Sequence, residues 1–208
     1  MPDALVPSRP DAQAAARQAA LLGMWVFLAT EVLFFGALFA VYAELRHAAP
    51  QAAAAASSHL YREVAIVNTA LLLTSSYLVA LAVHAARAGA DARAARLLGR
   101  TAMLGIAFLA LKGGEYAAEY HAAELPLPGL AVAAPGDAYA RFVDLYIVMT
   151  GAHALHVAVG VGALLAARGW LRRGHSAGAR RVEVVALYWH FVDIVWVFLF
   201  PLLYLVDR

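Results

Sequence analysis

A chain of 208 residues that is 63% hydrophobic, with a mean hydropathy of +0.69, carries more apolar surface than a soluble domain of its length can hide. It has no cysteine, which excludes disulfides and thiolate metal sites. Its formal net charge of +2 comes from arginine-rich loops, whose natural neighbours are anionic lipid headgroups and not nucleic acid.

Five apolar runs, each near the roughly 20 residues a spanning helix needs, predict an all-α five-helix transmembrane bundle with spans at about 21–43, 64–83, 97–117, 142–167 and 184–206. The alternation of barrel strands is absent, and unbroken runs of this length satisfy their backbone in lipid only as helices. Residues 1–20 read as a cytoplasmic N-terminal arm, with 21–206 the membrane domain. The Ala-rich segments 11–20 and 48–56 read as interfacial helix or flexible connection.

In the first span one ionisable group, Glu31, stands near the midpoint of LLGMWVFLATEVLFFGALFAVYA. A charge there costs several kcal/mol on insertion scales, so it requires a protein interior, a proton or a partner. The run is too long, and its acid too central, for a signal peptide cleaved after Val41-Tyr42-Ala43. The second span places Asn68 and Ser75 seven apart, a polar stripe suited to hydrogen bonds between helices. In the third, Lys112, the sole lysine, shares a side with Glu115, Tyr116 and Glu119, which points to an internal ion pair that cancels charge locally.

The fourth span carries His153 and His156, three apart, so both imidazoles are expected in one interhelical groove. They are too few for a closed metal site, and no Glu-x-x-His accompanies them. A bis-histidine haem needs a facing partner; His190 and His84 are the other histidines in or at the end of a span, and His84 lies far from the midplane. Ala154, Ala158, Gly162 and Ala166 form a small-residue ridge that permits close helix approach and signals assembly. In the fifth span Glu183, His190 and Asp193 fall on one stripe flanked by Trp189 and Trp196. His190 and Asp193 sit about 9 and 14 Å inside the run, too deep for snorkelling. They read as a His/Asp pair locking this helix to a neighbour, with a proton relay as the alternative. Gly174-His175-Ser176-Ala177-Gly178 fits the G-x-S-x-G hydrolase pattern, but arginines and no strand-like run flank it, so it is read as chance.

Eleven of the sixteen cations, among them Arg87, Arg93, Arg96, Arg100, Arg168, Arg172, Arg173, Arg180 and Arg181, fall at the N-terminus and in the loops after the second and fourth spans. This predicts a cytoplasmic N-terminus and a periplasmic C-terminus.

Taken in order, LGMWVFLATEVLFFGALF, VNTALLLTSSYLVALAV, LGIAFLALKGGEYAAEY, FVDLYIVMTGAHALHVAVGVG and VEVVALYWHFVDIVWVFLFPLLYL resemble subunit III of the haem-copper oxidases, the cytochrome c oxidase and quinol oxidase group. Glu31, Asn68, Lys112, Glu115, His153, His156, Glu183, His190, Asp193 and Trp196 stand at the matching positions. The resemblance implies an accessory subunit of a proton-pumping terminal oxidase in a bacterial cytoplasmic membrane, with no catalytic centre, cofactor or metal of its own. Haem and copper would sit in subunit I, packed directly beside it, with subunit II in the same complex. It implies bound phospholipid in a cleft near Glu31, and support of proton uptake. Cytochrome c is the expected donor, with quinol oxidase or a nitric-oxide-reductase-associated relative as alternatives. The chain resembles the five-helix members, lacking an equivalent of the first two helices of longer ones, which subunit I or another chain would supply. From other classes, an independent proton-coupled transporter would line its path with Glu31, His190 and Asp193, although neither inverted repeats nor interrupted helices are visible. A membrane enzyme with its own histidine-bound metal is disfavoured by ligand count.

Overall fold

The computed structural model describes residues 9–58, 60–121, 138–174 and 178–205, and every regular element among them is an α-helix. In chain order these are α1 (Arg9–Ala48), α2 (Pro50–Ser58), α3 (Arg62–Arg87), α4 (Asp91–His121), α5 (Ala138–Arg172) and α6 (Gly178–Tyr204). All but α2 contain a stretch long and apolar enough to cross a membrane. The five expected spans therefore stand, each extended by helix at both ends except the last. Residues 11–20 continue the first span as the opening turns of α1, and the second Ala-rich segment is the separate helix α2, with Pro50 at its first position, where its missing N–H costs nothing.

Helices α3 to α6 close into a ring, α3 and α5 each lying beside both α4 and α6. Helix α1 lies outside it, against α5 and α6, and α2 lies against α1, α5 and α6. Because lipid tails are as apolar as leucine, burial alone does not hold such helices together; close backbone approach and interhelical hydrogen bonds do. Both meet at Trp189, which is fully buried. A Cβ on Gly105 of α4 would stand 2.6 Å from its Cη2, and one on Gly160 of α5 2.8 Å from its Cε3. Its indole Nε1 donates to Ser75 of α3 at 2.9 Å. Two turns on, Trp196 donates to Thr69 at 3.0 Å, stacks on His153 at 5.2 Å and meets the edge of Phe108 at 4.8 Å.

Helix ends are closed by identifiable devices. Gly89, at φ +73°, terminates α3, its N–H donating to Ala86 and that of Ala90 to Ala85, the double bond of a Schellman cap. At the other end of the bundle the last carbonyls of α6, which have no partner within the helix, accept from other elements. Leu202 receives the Tyr42 hydroxyl of α1 at 2.5 Å, and Leu203 the Ser57 hydroxyl of α2 at 2.7 Å.

The ridge expected to signal assembly behaves differently from the glycines that pack Trp189. Ala158, Gly162 and Ala166 are exposed, Ala154 is half-buried, and a Cβ on Gly162 would meet nothing within 4 Å. Close approach inside the chain uses Gly160, on another face of the same helix. Of the hydrolase-like motif, His175 to Ala177 lie outside the described residues; Gly174 follows α5 and Gly178 opens α6, so the preceding element is a helix.

Gly105→Val forces Trp189 off its seat and is expected to cost about 1–3 kcal/mol, the usual penalty of overpacking, seen as a lower melting temperature in detergent. Gly162→Ala, facing open space, should leave that temperature unchanged.

Candidate functional site

The membrane glutamate of α1 has its partner on α5. Glu31 Oε2 lies 3.1 Å from His156 Nε2, across 125 residues of sequence. The other ring nitrogen, Nδ1, faces the Ala152 carbonyl at 2.8 Å. A carbonyl only accepts, so Nδ1 carries hydrogen, and the contact with Glu31 then has two forms. Either Nε2 accepts from a carboxylic acid, or the imidazolium donates to a carboxylate. Both are neutral overall and share one proton, which is how the pair tolerates bilayer depth. Phe35 meets the imidazole edge-on at 5.3 Å and Tyr188 donates to the His156 carbonyl at 3.1 Å. Glu31 and His156 keep 17% and 18% side-chain exposure, so the site is reachable from the open flank of α1.

A second cluster lies toward the C-terminal ends of α4 and α6. Lys112 Nζ donates to Glu115 at 3.0 Å, Tyr146 at 2.7 Å and Tyr204 at 2.5 Å, an acceptor for each ammonium hydrogen. Glu115 Oε1 in turn receives Tyr204 at 2.8 Å and Tyr146 at 3.3 Å. The rings of Tyr116, Tyr146 and Tyr204 stand about the ammonium with centroids 5.0, 4.9 and 5.2 Å away, and Tyr116 hydrogen-bonds Thr150. The expected internal ion pair thus exists and ties α4 to α5 and α6. Its two tyrosine hydroxyls were not anticipated: a tyrosine near a span end is equally at home in the interfacial aromatic belt. Glu119 lies on α4, but its side chain is outside the described residues.

Two expected groupings do not form. His153 and His156 do not share a groove, since a three-residue step leaves side chains about 60° apart around the axis. His153 turns inward between Phe108 and Trp196, and His156 outward to Glu31. Nor do His190 and Asp193 pair. His190 Nδ1 meets Ser76 of α3 at 2.7 Å, and Glu183 binds Arg87 at 2.7 Å, so the acid and imidazole of the shared stripe are drawn to separate partners. Both Asp193 carboxyl oxygens, although Ser76 faces them, make no hydrogen bond by geometry. Asn68 likewise has an unbonded buried amide among the described residues; of the expected α3 stripe Ser75 makes the interhelical bond, to Trp189, and Ser76 beside it bonds His190. Among the described residues neither ring nitrogen of His153 has a hydrogen-bond partner, and Phe108 and Trp196 pack on its ring.

Between α1 and α6 a groove of about 480 Å³ is lined by apolar side chains, including Trp25, Leu28, Val32, Phe35 and Phe198, with His190 at its wall.

The sequence matches the family described as Cytochrome c oxidase subunit III over residues 11–207. Among relatives, it is 31% identical to the cytochrome bo(3) ubiquinol oxidase subunit 3 of Pseudomonas aeruginosa over 89% of this chain and 84% of that one. It is 30% identical to a probable quinol oxidase subunit 3 of Staphylococcus aureus and 28% to one of Staphylococcus haemolyticus, each over 89% of this chain and 88% of the relative.

Lys112→Met leaves Glu115 buried without its cation and is expected to cost about 3–5 kcal/mol, whereas Lys112→Met with Glu115→Leu recovers most of it. Thermal melts in detergent test this; losses that simply add would show the two groups uncoupled. Glu31→Gln keeps a donor for Nε2 and should fold and assemble normally, while Glu31→Ala strands the imidazole and costs about 1–3 kcal/mol by the same measurement.

Proposed function

Because the chain belongs to the cytochrome c oxidase subunit III family, we propose that it is the accessory, non-catalytic subunit of a proton-pumping haem-copper oxidase that reduces oxygen to water. In this reading haem and copper reside in subunit I, against which the chain packs, with subunit II in the same complex and the N-terminus cytoplasmic. The observation that carries it is the family match along nearly the whole chain. The exposed ridge of Ala158, Gly162 and Ala166 supports docking, because it offers a partner helix the close approach that nothing among the described residues uses.

The donor we infer is a quinol. The relatives from Pseudomonas and Staphylococcus are named as quinol oxidase subunits, which supports quinol over the cytochrome c expected from the resemblance. Support of proton uptake rests on the Glu31 and His156 pair, which sets a carboxyl and an imidazole within hydrogen-bond distance on an accessible flank. The apolar groove beside it, with a length of α1 and α6 for walls, suits the acyl chains of a phospholipid.

Purifying the complex through this chain in mild detergent tests the reading. We expect haem-bearing subunits to co-purify and the preparation to oxidise a short-chain quinol and leave reduced cytochrome c untouched. The reverse preference overturns the donor, and a haem-free preparation overturns the role. Gly162→Leu should lower the yield of subunit III in that complex several-fold without shifting the melting temperature of the chain.

A further inference from the structure

At the arginine-rich end of the ring, away from the groove of α1 and α6, a second cavity of about 510 Å³ opens between the first turns of α4 and the last turns of α5. Its lining is polar: Arg96 from α4, Arg168 and Arg172 from α5, and a single carboxylate, Asp91, beside Ala92, Ala95 and Leu171. None of these four charged groups makes an ion pair among the described residues. Other arginines on this face are engaged internally, Arg87 with Glu183 at 2.7 Å and Arg181 over the Trp170 ring at 4.4 Å. Arg168 is also held in place. Gly99 leaves room for its guanidinium, which stands 3.1 Å from where a Cβ would be, and its Nε is enclosed without a hydrogen-bond partner among the described residues. An enclosed, unsatisfied donor is costly unless something accepts from it.

We propose that this cavity is an anion site for a phosphate group, closed by Arg96, Arg168 and Arg172. Guanidinium forks match phosphate oxygens in pairs, and three of them outweigh the one carboxylate, so a doubly or singly charged phosphate is bound where a neutral group gains nothing. The volume holds a phosphate with its ester substituent. The same chemistry fits a phospholipid headgroup at the membrane surface or free phosphate from the aqueous side.

The two sources are separated with the detergent-purified complex stripped of lipid. Its melting temperature is followed against added phosphatidylglycerol, with diacylglycerol as the phosphate-free control, and separately against inorganic phosphate, with chloride at equal ionic strength. The test variant is Arg96→Gln with Arg172→Gln, which leaves the packing of Arg168 on Gly99 intact. Arg93→Gln with Arg173→Gln removes the same charge from the same face outside the cavity. We expect half-saturation of the stabilising effect to weaken about tenfold or more in the first pair and to stay as in the wild type in the second. A response to phosphatidylglycerol alone assigns the headgroup; a response to inorganic phosphate assigns the soluble anion. Stabilisation by neither, or equal weakening in both variant pairs, overturns the proposal.

Discussion

One indole holds the ring of helices together. Trp189 stands on α6, is covered where Gly105 and Gly160 bring the backbones of α4 and α5 against its six-membered ring, and donates its N–H to Ser75 of α3. All four helices of the ring thus meet at one side chain. In a solvent of acyl chains, where apolar contact with lipid and with protein are nearly equivalent, such steric fit is what distinguishes one arrangement of helices from another. The tilt and register of α3 against α6 follow from it, and with them the pairings of Thr69 with Trp196, Ser76 with His190 and Arg87 with Glu183.

Charge inside the membrane is handled by neutralisation within the chain wherever a partner is in reach. The Lys112 and Glu115 pair surrounds itself with tyrosine hydroxyls, and Glu31 meets His156 at 3.1 Å between helices that are otherwise lightly joined. These differ in a way that bears on function. The lysine cluster is fully enclosed and serves architecture, whereas the glutamate is partly open on a helix lying outside the ring. Tight enclosure removes a group from exchange; partial exposure leaves it available.

Span number and the Lys112 pair were legible in the sequence because both depend on local spacing: apolar runs of sufficient length, and two opposite charges three residues apart on one helix. The family followed from the ordered polar residues within those runs. What spacing did not reveal were partners on other helices. His190 and Asp193 look like a pair on a helical wheel, yet Ser76, 114 residues away, takes the imidazole. Likewise Gly105 and Gly160 stand in no small-residue pattern more obvious than the one at Ala158 and Gly162, and only the position of a tryptophan in a third helix tells which set faces inward. Tyr146 and Tyr204 were hidden because the same residues at the same depth serve equally well at a lipid interface.

The separation of Glu31 from His156 has a temporal side. The glutamate leaves the ribosome 125 residues before its imidazole, a gap of about 6–25 s at ordinary elongation rates of roughly 5–20 residues per second. Tyr42 waits longer still, for the end of α6. Of the described helices α1 is therefore made first and is among the last to find its place, its acid waiting for the imidazole it will meet. The nascent protein must keep that first helix loosely attached until the ring it leans on has closed.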